Sequence, residues 1–517
     1  MPATWGRVLV CGRVAADEAS HGAAEAGTSL TTPHILRSVC HIRMTRVITS
    51  SVADHAVFLS VHGDAYVYGR NTEGQCGVAS MPGAVDGGLW LYNATRLDRQ
   101  RDFVPSLPDT VKIVGGATGA THTLLLTSQG TVYAAGSNAQ GQCGLGVMPA
   151  SQPFRQVDMP FSTGADPVKD MGCTRTGSVL VTTAGHVYVM GSAKHGFWGT
   201  GPLSWQSKSA SEVRYATQTT PMRVPSLDAI SSIACGEDHV VALSATHQVY
   251  VWGRGALSRL GCGTQWDQPQ PVRIPQFARV PASEQVYAVY AGRTVTACVD
   301  NASRLWIAGT FRTQGDGSAG QSFIIYKPLP ELAEYDVEQV ALGADTIQCT
   351  ARPTYDGAAE AGAPLQVLGW GEGALHAELG YPATTPALPD VIPVLTSLRP
   401  VRIASGRHTS YWIVEPDPSY ADLPRFPDYV ASSSVCLVCQ RGGDEDDATL
   451  LECGRCENPY HLACLTPPLE AVPPGEWLCE SCRAHDTGGE AADDAPAKTT
   501  QAKSGAGAQR GRKRRRA

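Results

Sequence analysis

The chain has 517 residues, 43% hydrophobic and 17% charged, which suits a globular protein of two to four domains rather than a disordered or fibrous one. No apolar run reaches ~18 residues, and the start, "MPATWGRVLVCGRV", lacks a basic flank and a cleavage site. Neither a membrane span nor a signal peptide is expected, and the 16 cysteines read as thiols or metal ligands in a reducing compartment. The net charge of −7 is unevenly spread: residues 502–517 carry +7, residues 430–501 carry −9, and −5 is left for residues 1–429. The bulk of the chain is therefore no basic nucleic-acid platform, whereas its C-terminus could be one.

The first 415 residues repeat. "GATHTLLLTSQGTVYAAGSNAQGQCGLG" (119–146), "GEDHVVALSATHQVYVWGRGALSRLGCG" and "ADHAVFLSVHGDAYVYGRNTEGQCGV" share an alternating apolar strand, a polar turn, a second strand and a glycine. This is the pattern of β-hairpins. The closing glycine recurs at Gly12, Gly69, Gly136, Gly191, Gly253, Gly309 and Gly371, at intervals of 55 to 67 residues. Seven units too small to fold singly predict blades around an axis. The first unit lacks leading strands, and these stand at the other end in "PVRIASGRHTSYWIVE" (400–415). The N-terminal strand is expected to complete the last blade, which removes two exposed sheet edges.

The interval is longer than WD40 or kelch units. The glycine pattern resembles the regulator of chromosome condensation repeat over about residues 7–415. "YAGRTVTACV", "GALHAELGY" and "DLPRFPDY" resemble the regulator of chromosome condensation 2 branch. His55, His122, His239 and His408 recur at hairpin starts, where other repeats place Arg175, Val295 and Thr346. Their expected role is structural hydrogen bonding, since buried polar groups need partners. Cys76 and Cys143, each within "GQCG", are expected in the core.

Residues 416–434 are proline- and serine-rich and read as a linker. Next comes "CLVCQRGGDEDDATLLECGRCENPYHLACLTPPLEAVPPGEWLCESC" (436–482). Cys436, Cys439, Cys453, Cys456, His461, Cys464, Cys479 and Cys482 supply eight soft ligands in four close pairs, enough for two tetrahedral Zn²⁺ ions. So short a module buries too little surface to hold itself together, and structural zinc supplies the difference. Four protein ligands per ion leave no position for a catalytic water.

The ligand order, with Trp477 two residues before Cys479, resembles the plant homeodomain (PHD) finger over residues 435–483. The resemblance implies interleaved pairing: Cys436, Cys439, His461 and Cys464 on one ion, Cys453, Cys456, Cys479 and Cys482 on the other. It also implies a partner, the free N-terminal tail of histone H3, added as a strand beside Leu450, Leu451 and Glu452. Pro474 and Gly475 correspond to the turn that receives the terminal amine, and Trp477 belongs to the same surface. The cage tryptophan of trimethyl-lysine readers is replaced by Pro459, and Asp444, Glu445, Asp446 and Asp447 fill the preceding loop. An unmethylated ammonium can donate hydrogen bonds to carboxylates and a trimethylated one cannot, so an unmethylated fourth-position lysine is expected. Gly454 stands where many relatives have an aspartate aimed at the second-position arginine.

Residues 484–517 are expected to be disordered, ending in a basic cluster of Arg510, Arg512, Lys513, Arg514, Arg515 and Arg516. That cluster reads as a nuclear localisation signal or a nonspecific DNA-phosphate contact. The sequence thus predicts an all-β protein: a seven-bladed propeller, a two-zinc finger and a basic tail. Its expected role is a nuclear chromatin adaptor whose propeller is a protein-interaction platform, without enzymatic activity. The alternative is a guanine-nucleotide exchange factor for a Ran- or Rac-type GTPase recruited to chromatin by the finger.

Overall fold

The computed structural model describes residues 5–14, 29–40, 42–78, 90–161, 164–201, 206–207, 213–227, 229–310, 322–355, 364–371, 376–381, 387–416, 423–427, 436–439, 441, 450–454, 458–473, 477–480 and 483. It divides into two compact units, residues 1–34 with 44–415 and residues 35–43 with 416–517.

The larger unit is a seven-bladed β-propeller. From the axis outwards, the first two strands of each blade are Met44–Ile48 and His55–Ser60 in blade 1, Ile113–Thr118 and His122–Thr127 in blade 2, and Val168–Cys173 and Gly177–Thr182 in blade 3. They are Ile230–Cys235 and His239–Ser244 in blade 4, Val286–Ala291 and Val295–Asp300 in blade 5, Tyr335–Leu342 and Thr346–Pro353 in blade 6, and Pro400–Ser405 and Thr409–Val414 in blade 7. The third strand of blade 7 is the N-terminal Arg7–Arg13, antiparallel to the second from Arg7↔Val414 to Gly12↔Thr409. The ring is closed by the N-terminal strand joining the strands of residues 400–414, as the truncated first repeat predicts.

The repeating glycine marks the point where the third strand passes the start of the second. All seven have φ between 96° and 149°, in or near the left-handed region that L side chains avoid. A Cβ at Gly69 would lie 2.6 Å from Asp54 O, at Gly136 2.3 Å from Thr121 O, and at Gly309 2.2 Å from Thr294 O. Strain and close approach therefore both demand glycine.

The inner strands share a second device. In every blade the pairing of first and second strands shifts by one residue, between Met44 and Arg46, Ile113 and Gly115, Val168 and Asp170, Ile230 and Ser232, Val286 and Ala288, Val337 and Gln339, and Pro400 and Arg402. A bulge re-aims side chains and leaves a backbone group of the extra residue unpaired. In two blades the preceding blade satisfies it: Arg46 Nη1 of blade 1 donates to Val114 O of blade 2 at 3.3 Å, and Gln339 Nε2 of blade 6 to Val401 O of blade 7 at 3.1 Å. In blade 3, Asp170 Oδ2 accepts the Ile233 N–H at 2.9 Å.

Apolar cores lie between blades rather than within them. Ile48, Val57 and Val67 of blade 1 pack with Ile113, Leu125 and Phe154 of blade 2, and Val179, Val189 and Phe197 of blade 3 with Ile233, Val240 and Trp252 of blade 4. A buried side chain of this size contributes about 1.5–3 kcal/mol, so a blade without its neighbours would lose most of its stabilisation. Cys76 and Cys143 are completely buried in two of these cores, as expected, and burial pushes both thiols far up. Each backbone N–H is held by an asparagine carbonyl, Asn71 and Asn138.

In the smaller unit, Arg425–Phe426, inside the segment expected to be a linker, pairs in parallel with Ile35 and Leu36. The finger holds a two-stranded sheet, Leu450–Glu452 against Pro459–His461. Leu451, Cys453, Tyr460, Trp477 and Cys479 form its small core, with Tyr460 and Trp477 edge to face at 5.6 Å. Among the described residues no helix is long and apolar enough to cross a membrane.

Candidate metal centre and charged propeller face

The sheet of the finger brings His461 beside the first cysteine pair, because Leu437 N–H is tied to Pro459 O at 2.8 Å. Ligand atoms of Cys436, Cys439, His461 and Cys464 all lie within 4.8 Å of one another. His461 presents Nδ1, 3.3 Å from Cys439 Sγ and 3.9 Å from Cys464 Sγ. Three thiols and one imidazole at this spacing fit a tetrahedral Zn²⁺, and the four would hold it as a structural ion with no open position. Burial alone would push the Cys436 thiol up, but N–H groups of Cys439, His461 and Val438 outweigh it and bring it down to about 7. Cys436 is thereby favoured as thiolate, the form that binds metal, whereas burial and then the neighbouring thiols Cys439 and Cys436 push Cys464 up. This quartet is the first of the two interleaved sets that the resemblance to the PHD finger implies.

Of the second set, Cys453 and Cys479 come together in the finger core, with the Cys479 N–H donating to Cys453 Sγ at 3.3 Å. Cys456 and Cys482 lie outside the described residues, as do Asp444, Glu445, Asp446, Asp447, Pro474, Gly475 and the basic cluster 510–516. Leu450 and Glu452 are half-buried; the side chains of Leu451 and Trp477 point into the core. The strand Leu450–Glu452 pairs on one side only among the described residues.

On the propeller, the recurring histidines build a belt between blades. His55 Nε2 meets Thr123 Oγ1 at 2.7 Å, His122 Nε2 meets Ser178 Oγ at 2.9 Å and His239 Nε2 meets Thr296 Oγ1 at 3.1 Å. Ser178 itself donates to Gln142 O at 2.8 Å and Thr296 to Arg259 O, so the His122 and His239 imidazoles act as Nε2–H donors. Burial lowers His55 and His122 to about 3, and His239 in the same direction. All three are neutral structural groups. His408 does not belong to this set: strand register aligns Gly177 and Thr409 with the histidines, so Arg175 and His408 sit just before the repeat position. His408 Nδ1 instead faces Glu378 at 3.4 Å.

The residues just before the second strands gather charge at one end of the propeller. Arg175 pairs with Glu237, Arg293 with Asp345 at 3.2 Å, and Arg407 with Asp54 at 3.5 Å. Each pair joins neighbouring blades. Arg254 adds to Glu237 at 3.5 Å and Asp238 at 3.3 Å, and Arg70 to Asp54 at 3.7 Å. Below them Arg259, only 1% exposed, reaches Glu237 at 3.3 Å; burial, then the charge of Arg254, pulls its guanidinium down to about 10. The Arg175, Arg254, Arg293 and Arg407 side chains are partly exposed, whereas the Asp54, Glu237 and Asp238 carboxylates lie largely buried beneath their partners, so the pairs join neighbouring blades and leave arginines at this end. Sequence reasoning missed this face. The available signal was that these residues recur one or two places before the same repeat position.

A closed ring of seven glycine-punctuated blades followed by a zinc-ligating module defines a propeller of regulator of chromosome condensation (RCC1) repeats joined to a PHD finger, and this chain is one. The RCC1 repeat model matches residues 184–243 and 246–299, a second model of that repeat 113–142 and 230–257, and the PHD-finger model 436–482. The chain is similar to Protein RCC2 of Mus musculus, 26% identical over 430 residues, covering 78% of this chain and 74% of that protein. Against Protein RCC2 of Homo sapiens it is 26% identical over 372 residues, covering 69% of this chain and 64% of that protein. Among solved structures it shares the fold of Prp20p from Saccharomyces cerevisiae, with TM-score 0.63, 15% identity, and coverage of 82% of this chain and 94% of that one. That structure was described with binding properties to Gsp1p and histones. The expectation of no enzymatic activity is corrected by this finding: the propeller fold is one on which a Gsp1p-binding protein is built, and exchange activity is not to be set aside.

Proposed function

We propose that this protein is a chromatin-tethered regulator of a small GTPase. The propeller engages a Ran-type GTPase through its charged end and promotes release of bound guanine nucleotide. The supporting observation is the belt of inter-blade ion pairs at this end, Arg175 with Glu237, Arg293 with Asp345 and Arg407 with Asp54, with their arginines partly exposed, on the fold shared with Prp20p. Complementary charge steers association and fixes orientation. The test follows release of a fluorescent guanosine diphosphate from Ran- and Rac-type GTPases. Acceleration by the full chain is expected with one of them, and no acceleration with either refutes the reading.

The finger is the tether in this proposal. It holds two structural zincs, the second on Cys453, Cys456, Cys479 and Cys482, and takes the histone H3 tail as a third strand along Leu450–Glu452. The short two-stranded sheet, Leu450–Glu452 against Pro459–His461, supports this mode of binding, in which a peptide adds a strand. Pro459 is committed to the finger's own sheet, which supports the absence of an aromatic cage; the carboxylates of 444–447 then receive an unmethylated lysine. Titration with unmodified and trimethylated histone H3 peptides checks it. Tighter binding of the unmodified peptide is expected, and equal or tighter binding of the trimethylated one refutes it. The basic cluster 510–516 directs the chain to the nucleus and adds phosphate contacts there, and finger, tail and propeller reinforce one another through effective concentration.

A further inference from the structure

The propeller end opposite the ion-paired loops carries a pocket of different character. Its cavity, about 280 Å³, is lined by Thr45, Arg46, Ser60, Lys112, Val114 and Arg402 among others, and no carboxylate is among its lining residues. Three cations from three consecutive blades, 7, 1 and 2, thus share one opening in a propeller whose sequence region is net negative.

The fold explains why they converge. Arg402 and Arg46 occupy the same position, directly after the inner-strand bulge of blades 7 and 1. Blade 2 has Gly115 there, and the ideal Cβ position on Gly115 is 3.5 Å from Arg46 Nη1, so the guanidinium lies directly over this glycine. Lys112 enters from the start of the blade 2 inner strand. Arg46 and Arg402 each spend one N–H on a backbone carbonyl, Val114 and Val401, and both side chains are exposed.

Nearby carboxylates are already engaged. Both oxygens of Asp170 accept backbone N–H groups, from Met171 and Ile233, and Asp64 is paired with Arg96 and Arg99 at 3.1 and 3.2 Å. Like charges that share an opening repel, and an arrangement with two guanidinium forks and an ammonium around a polar cavity is complementary to an oxyanion of more than one charge.

We propose that this pocket is a phosphate-binding site, with Arg46, Lys112 and Arg402 as its ligands. It lies at the far end from the charged loops assigned to the GTPase, so it is independent of that reading. A free phosphate and one carried on a partner's side chain share this chemistry, and the experiment separates them.

Calorimetric titration of the full chain at low ionic strength uses sodium pyrophosphate in one arm. The other uses a phosphoserine peptide beside its unphosphorylated form. A saturable site is expected, preferring the phosphopeptide if the source is a partner and pyrophosphate if it is free, and weakening as salt rises. Lys112→Glu and Arg402→Glu should each weaken it about tenfold or more, the scale of one charge-assisted hydrogen bond, while Lys327→Glu on blade 5 should not. Lys112→Gln and Arg402→Gln repeat the test without an added negative charge, and unchanged thermal melts certify folding. The proposal is overturned if neither probe binds saturably, if binding survives both pocket substitutions, or if Lys327→Glu weakens it equally. The basic tail is intact in every variant, so binding that ignores the pocket substitutions reports the tail alone.

Discussion

Acid should loosen the propeller at its histidine belt. His55 and His122 are fully buried neutral imidazoles with pKa values held down at about 3 by burial; in the unfolded chain an imidazole titrates near 6.5. Between those values the unfolded state binds the protons, so stability is greatest above about pH 6.5 and falls as pH drops towards 3. At pH 5 each histidine costs about 2 kcal/mol relative to neutral pH, from roughly 1.5 pH units at about 1.36 kcal/mol each, or about 4 kcal/mol for the two. His239 acts in the same direction. Denaturant titrations of the full chain at pH 7 and pH 5 measure the drop. His55→Gln/His122→Gln is the comparison, because glutamine can still donate to Thr123 and Ser178 but does not titrate. The double variant should lose about 4 kcal/mol less than the parent between the two pH values. Parallel losses in parent and variant would refute the assignment of neutral buried imidazoles.

Two further outcomes follow from the geometry. Gly119→Ala places a Cβ 2.1 Å from His122 Cε1 and 2.8 Å from Thr174 O, so it should destabilise the propeller by about 2–3 kcal/mol; a shift of the denaturation midpoint reads this. Chelation should release zinc and unfold the finger alone, since a structural zinc supplies on the order of 10 kcal/mol to such a module while the propeller rests on its inter-blade cores. Calorimetry with and without chelator should show loss of one transition, and colorimetric zinc release should count two ions per chain.

The ring was legible because a propeller writes its period into the chain. A glycine forced by close backbone approach must recur in every blade, so Gly12 through Gly371 reveal blade number and the split closure together. The zinc ligands were legible for a similar reason: soft ligands in close pairs have few alternative uses, while the interleaving that put His461 beside Cys436 came only from the resemblance to the PHD finger, since spacing alone allows other pairings. The charged face and the cationic pocket were not legible in that way. Arg175 and Glu237 lie 62 residues apart and Arg46 and Arg402 lie 356 apart; the first two meet only when blades 3 and 4 pack, the second two only when the ring closes. The slip over Arg175 and His408 has the same origin, since a displacement of one or two residues is invisible in apolar patterning and fixed only by strand register. Local backbone demands leave residues at set intervals, and sequence alone determines what they dictate. Which side chains from different blades share a face is decided by the bulges and the closure of the ring, and those belong to the tertiary structure.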